Sequence, residues 1–316
     1  MIGLEVRSMW KDEYLDLMFS NDPKKLNSLE GITLKFFNIP QSLYKYRRID
    51  EYSLANLTND TAWFSRATGF NDPYDSSLTI NNKEHNPIHK EGLENIAREF
   101  NVPLEEIESL NTKDTLEHIL YNYTKLKHNP EILATTVEKY IEGTDKEFEK
   151  YVKNISDVFQ EKVFASCFSE DPTSMLMWSH YADNHKGMVI EYNFNNLDLD
   201  NQKQIMTGLH PVYYTSELLN LDNYRDVQGK ISVHTLAAIN KSVEWEYEKE
   251  WRIIVHNETD EIGFNLPIIK PSSIILGARV EEIHKNRLSL EAKKKGIPLK
   301  QIKLDKSSYH LEVVEF

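Results

Sequence analysis

The chain has 316 residues, enough for one large domain or two small ones at roughly 100–200 residues per domain. Its 50 acidic against 37 basic residues leave a net charge of −13, which argues against a general nucleic-acid binder, whose surface must be basic to meet phosphate. One cysteine, Cys167, rules out an intrachain disulfide framework or a cysteine zinc site.

In chain order, the first residues lack the basic and then apolar run of a secretory signal, and no apolar stretch of about 18 residues follows anywhere. A cytoplasmic protein with no membrane span is the expectation. ITLKFFNI (32–39) and SLYKYRRI (42–49) cluster apolar and aromatic residues as strands do. IDEYSLANLTND has Leu54 and Leu57 at helical spacing, with Asn59-Asp60 as its stop. TAWFSRA reads as an aromatic strand running into the turn-rich GFNDPYD, where Pro73 forbids a continuing central strand. HKEGLENIAREF, PLEEIESL, LEHILYNYTKL and the long run from Ile132 to Lys162 repeat apolar residues every three or four positions, so residues 88–162 read as a helical insertion. VFASCFS is a buried strand. SMLMWSHYADN is a helix with Pro172 at its start and Gly187 placed as its stop. GMVIEYNF, PVYYT, WEYEKEWRIIV, SSIILGARV and YHLEVVEF are strands, and GKISVHTLAAINKSV is a helix. The pattern predicts one α+β domain over 1–316, with a mostly antiparallel sheet, flanking helices and the 88–162 insertion. Neither GxGxxG nor GxxxxGK[ST] occurs.

Three constellations can carry chemistry. In EWEYEKEWR, an extended strand puts Glu244, Glu246, Glu248, Glu250 and Arg252 on one face, where crowded carboxylates repel and rise in pKa. A solvated edge strand has the same pattern. In DPTSMLMWSHYADNHKG, Met177 and Tyr181 lie one helical turn apart, as do Leu176 and His180; His180 is catalytic or a satisfied core histidine. His180 and His185 are five apart, which is not the spacing of a zinc-binding helix, so no metal site is expected. In YKYRRIDEYSLANL and AWFSRATGFNDPYDS, Arg47 and Arg48 offer planar forks for an anion, Ser65 ends the next strand, and Asn71, Asp72 and Asp75 crowd the loop after it. Asp72 and Pro73 are also sufficient as a turn architecture. Cys167, within an apolar strand, reads as an inert thiol, and no G-x-S-x-G elbow is present.

LYKYR (43–47), WFSRATGFNDPYD (63–75), CFSEDPTSMLMWSHYADNHKG (167–187) and KSVEWEYEKEWR (241–252) together resemble a bacterial family of unknown function. That resemblance implies, loosely, an antiviral or toxin-like setting. The motif order is also similar to the ADP-ribosyltransferase superfamily, which implies a split antiparallel sheet binding NAD as substrate. Under that resemblance Arg47 or Tyr46, then Ser65, then Glu248 or Glu250 occupy the three strand positions. His180 joins them as a catalytic candidate, and Tyr44, Tyr46, Asn71, Asp75, Trp178, Tyr181 and Arg252 bind the dinucleotide. Tyr44, Tyr46 and Trp178 would stack on nicotinamide and Arg47 would hold the diphosphate. A carboxylate at the ribose would stabilise the developing oxocarbenium ion.

The expected function is therefore an NAD-consuming ADP-ribosyltransferase-like enzyme or glycohydrolase, with a nucleotide or dinucleotide as ligand. A metal-dependent nuclease or phosphoesterase built on Asp72, Asp75, Glu248 and Glu250 with Lys241 as helper is an alternative. A non-enzymatic nucleotide sensor or adaptor, docking a protein through the helical insertion, is another.

Overall fold

The computed structural model describes residues 2–81, 87–194, 205, 207–227, 229 and 232–316. Two helices, α1 (Ile2–Phe19) and α2 (Ser28–Asn38), precede β1 (Ser42–Arg47), α3 (Glu51–Asn59), β2 (Thr61–Arg66) and the short β3 (Leu78–Thr79). Three helices follow, α4 (Pro87–Glu99), α5 (Thr112–Tyr123) and α6 (Pro130–Lys162). Next come β4 (Val163–Ser169), α7 (Met175–Tyr181), β5 (Met188–Asn193), β6 (Leu209–Pro211), β7 (Tyr213–Thr215) and β8 (Leu219–Asn220). The chain closes with α8 (Val233–Ile239), β9 (Asn240–Ser242), β10 (Glu250–His256), β11 (Gly263–Pro267), β12 (Ser273–Leu276), α9 (Glu282–Lys295), β13 (Leu299–Leu304) and β14 (Leu311–Glu315).

Two compact units result. One takes Met1–Ser77, Phe159–Leu219 and Asp226–Phe316; the other takes Leu78–Val158 and Asn220–Arg225. The second is helical, built on α4, α5 and most of α6. Leu93, Leu116, Leu120 and Val137 form one of its apolar clusters, and Ala97, Val102, Ile107 and Ile119 another. PLEEIESL, expected as helix, makes only a 3₁₀ turn at Leu104–Glu106 behind Pro103. Among the described residues, no helix is long and apolar enough to cross a membrane.

The first unit is α+β around a ten-stranded, mostly antiparallel sheet. Its core buries Phe64, Phe164, Phe168, Ile190, Trp251 and Ile274, among others. Each such side chain contributes about 1.5–3 kcal/mol on leaving water. Of residues 32–39, expected as a strand, 32–38 belong to α2 instead and Ile39 is its extended C-cap. A short apolar run does not separate helix from strand by period, and the Asn27 side chain, accepting from the Glu30 amide, settles it as an N-cap. The α3 reading holds: Asp50 and Ser53 form a reciprocal capping box, and Asp60 ends the helix in the left-handed region.

The sheet divides at β4. One edge of β4 pairs with β10 along its full length, from Glu250↔Ser169 to His256↔Val163. Its other edge meets two strands, β1 at Tyr44↔Ser169 and β2 at Ser65↔Ala165 and Arg66↔Phe164. The edge between Ala165 and Ser169 faces neither ladder. β1 and β2 splay apart there, and β1 continues outward onto β5.

Candidate functional site

The acidic segment does not form one strand. Ser242 caps a 3₁₀ helix over Val243–Glu248, Lys249 turns through the left-handed region at φ 46°, and β10 starts only at Glu250. The turn resets the alternation. Glu244 and Glu246 are exposed, whereas Glu248, Glu250 and Arg252 are buried. The single charged face expected of an extended strand is replaced by two buried acids beside a buried guanidinium.

Those acids belong to a closed cluster. Arg252 grips Asp75 at 2.7 and 2.6 Å and Glu250 at 2.8 and 2.9 Å, and it donates to the Ala238 carbonyl at 2.7 Å. All five guanidinium hydrogens have acceptors. Lys241 donates to Glu250 at 2.8 Å and to Oε2 of Glu248. Tyr181 donates its hydroxyl to Oε1 of Glu248 at 2.6 Å, and Asn71 donates to the Tyr181 oxygen at 3.0 Å. The Gln160 amide holds the Asp75 carbonyl at 2.7 Å, fixing the FNDP loop. Asp72, whose carboxylate accepts the Tyr74 amide at 2.9 Å, is the turn former that FNDP suggested. Burial works against Glu250 ionising, yet Arg252 and Lys241 hold its carboxyl well below the usual range. Burial and then the Glu250 charge push Glu248 upward, against Lys241 and Tyr181. Two neighbouring carboxylates are thus driven apart, with Glu248 the more readily protonated.

A cavity of about 420 Å³ opens at the split, lined by Glu248, Tyr181, Ser65, Tyr44, Arg47 and Lys45, among others. Side chains enter it from both faces of β1. Tyr44 and Tyr46 point one way, toward Trp178; Lys45 and Arg47 point the other, with Leu43 and the main core. Arg47 and Glu248 share this cavity, without an ion pair between them. Lys45 donates to Ser166 Oγ at 2.7 Å and the Cys167 carbonyl at 3.0 Å, and its ammonium lies 4.7 Å from the Phe168 ring centre. Burial, then the Arg47 charge, bring its pKa down to about 7. Cys167 meets the cavity, and burial pushes its thiol up, so it stays protonated as expected.

The other expected residues separate. Asn71, Asp75, Glu250 and Arg252 line the same cavity, but Asp75, Glu250 and Arg252 are engaged with one another. Trp178 does not line it. The indole is fully buried, donates to the Pro172 carbonyl at 2.8 Å and packs edge-on against Tyr46, so no face is free to stack on a ligand. Tyr46 likewise donates its hydroxyl to the Asp171 carbonyl at 2.6 Å. His180 is exposed and lines a neighbouring cavity of about 790 Å³ with Tyr52 and Asn56. Tyr46, Arg47, Arg48, Trp63 and Tyr181 belong to both cavities. Lys45 is absent from the sequence-marked set; its only signal is that it shares a strand face with Arg47.

The turn after α7 braces the site. Asp183, Asn184 and His185 all have positive φ, at 48°, 54° and 68°. Gly187, expected to stop the helix with such a conformation, does not; it is needed for closeness. A Cβ there would sit 2.3 Å from the Arg47 carbonyl oxygen, and one on Gly277 would sit 2.1 Å from that of His185. The amide of Gly277 donates to the Gly187 carbonyl at 2.9 Å.

Residues 177–253 match a family described as "Protein of unknown function (DUF2971)". The match begins inside α7 and ends in β10, so it includes Tyr181, Lys241, Glu248, Glu250 and Arg252. No curated protein and no solved structure matches the chain.

Proposed function

We propose that the chain consumes NAD, breaking its nicotinamide–ribose bond and transferring the ADP-ribosyl group to water or to an acceptor, with Glu248 as the catalytic carboxylate. The observation that carries this reading is the meeting of Glu248 and Arg47 in one cavity at a split in an antiparallel sheet. Nicotinamide departs with the electron pair of the C1′–N bond, and positive charge develops on the ribose. Glu248, held at both oxygens by Tyr181 and Lys241, is placed to stabilise that charge through the ribose hydroxyls. The attacking hydroxyl forms the new bond to C1′ and yields its proton to the Glu248 carboxylate. Glu250 supports this role from behind, by holding Lys241 and Arg252. Consumption of NAD by an antiviral or toxin-like effector is the setting that the motif resemblance implies.

A metal-dependent phosphoesterase has less support. Among the described residues no group of three His, Cys, Asp or Glu side chains is arranged to hold a metal ion. The carboxylates it would need are already engaged with Lys241 and Arg252.

The test is nicotinamide release from NAD, alone and with cell extract. Glu248→Gln should slow release by about 100-fold or more in protein shown by circular dichroism to be folded, and Glu244→Gln should behave as wild type. Absence of both hydrolysis and transfer by the wild-type protein ends this reading.

A further inference from the structure

The larger cavity, of about 790 Å³, has two kinds of wall. Some of its polar groups are committed. Asp50 caps α3 through the Ser53 amide at 2.8 Å and meets Arg48 at 3.5 Å. Asn56 accepts the Thr61 hydroxyl at 3.0 Å, and Ser179 donates to the Met175 carbonyl at 2.9 Å. Others are not. Among the described residues, the Asp183 carboxylate has no ion pair and accepts no hydrogen bond, and the side chains of Asn184 and His180 have no hydrogen-bond partner. Asp183 and Asn184 stand on the left-handed turn after α7, at φ 48° and 54°. The His185 amide ties that turn to the Trp178 carbonyl at 3.1 Å, and the Arg279 amide ties it to the His185 carbonyl at 2.9 Å. The uncommitted acid is therefore held in place by backbone, not by a partner of its own. Across the cavity, the Trp63 indole takes the room that a side chain on Gly263 of β11 would need, since a Cβ there would sit 2.4 Å from Cζ2. Among the described residues no other ring and no cation packs on that indole.

These groups select a ligand by its chemistry. A carboxylate with both oxygens unused takes two parallel N–H donors. An uncovered indole takes the face of a flat heterocycle. Among the common bases, guanine alone offers two adjacent donors on one edge, N1–H and the 2-amino group. Adenine and cytosine offer one donor beside an acceptor, and uracil one donor between two carbonyls. Arg48, whose one ion pair is the 3.5 Å contact with Asp50, and His180 are left for a phosphate. We infer that the larger cavity binds a free guanine nucleotide, with the base on Trp63, its paired donors on Asp183 and its phosphate toward Arg48 and His180. The volume is within the range of small-molecule sites, and a net charge of −13 disfavours a whole nucleic-acid strand. This site does not rest on the NAD reading, and no covalent bond changes in it.

The probe is GMP, titrated calorimetrically into the full chain, with AMP and IMP beside it. GMP should bind about 10- to 100-fold more tightly than AMP, and IMP, which lacks the 2-amino group, should fall between them. Asp183→Asn replaces one acceptor by a donor and should remove the preference for GMP. Asn is as well suited as Asp to the left-handed region, so this variant keeps the turn. Trp63→Leu should weaken GMP and AMP alike. Because the preference is read first on the wild-type chain, the test survives a variant that fails to fold. No binding of GMP, equal affinity for GMP and AMP, or a folded Asp183→Asn protein that keeps the preference overturns the inference. Displacement of GMP by NAD, read on Glu248→Gln protein, would make the cavity part of the dinucleotide's own site and overturns it too, as does a guanosine tetranucleotide that binds more tightly than GMP. GMP binding is read without nicotinamide release, so it stands even where NAD is never consumed.

Discussion

The two sides of the split treat charge in opposite ways. On the β10 side, Asp75, Glu248 and Glu250 are matched by Lys241 and Arg252, with contacts of 2.6–2.9 Å between Arg252 and its two acids. On the β1 side, Lys45 and Arg47 face the same cavity, and among the described residues neither forms an ion pair with a carboxylate. The difference is one of commitment: the acids, Glu248 among them, are held by ion pairs, and the two cations are not. A satisfied cluster holds its geometry whether or not a ligand is present, while an unsatisfied pair of cations is stable at a cost that binding relieves.

The largest test of that contrast removes the centre of the closed side. Arg252→Met leaves Asp75 and Glu250 buried with too little counter-charge, and should destabilise the protein by about 3–5 kcal/mol in denaturant unfolding. A loss under about 1 kcal/mol would mean the cluster is not the scaffold. A smaller effect follows from acidity on the open side. Lys45 and the buried Lys35, whose ammonium donates to the Leu209 carbonyl at 2.6 Å, both have pKa values brought down to about 7 from 10.5 by burial. Between those two values the unfolded chain holds protons that the folded chain has released. Stability should therefore rise with pH from 7 toward 10.5, by up to ~1.4 kcal/mol per unit for each lysine, and be lost again as pH falls back to 7. Unfolding midpoints at pH 7 and pH 9 decide this, and a flat or falling profile contradicts it. The smallest effect belongs to a pair that looks as good by distance. Arg287 meets Glu51 at 2.6 Å, but both are exposed, so Arg287→Met should leave the melting temperature where it was.

Much of this arrangement was legible in the residues themselves. Aromatic alternation in SLYKYR, TAWFSR and VFASCFS located β1, β2 and β4, and EYEKEWR flagged the two acids that turn out to be buried. Their arrangement was hidden, because nothing in the local pattern announces the left-handed Lys249 that breaks the segment into a turn and a strand. ITLKFFNI was misread because its period is ambiguous and the deciding group, Asn27, lies outside the apolar run. Trp178 was misassigned because composition shows that an indole is present, not which way it faces. Lys45, between two tyrosines, has the look of a solvated strand face. Only the double use of one β4 edge, a pairing between distant segments, brings it indoors.

The close approach at Gly187 has a practical consequence. The carbonyl of Arg47 lies where a methyl on residue 187 would have to go, so this one hydrogen-for-carbon vacancy sets how far the tip of β1 reaches. An alanine there would wedge the strand tip outward and carry the guanidinium with it. The aim of the arginine is thus governed from a position that contributes no functional group, and a library that sampled only polar residues around the hollow would overlook the screw that adjusts it.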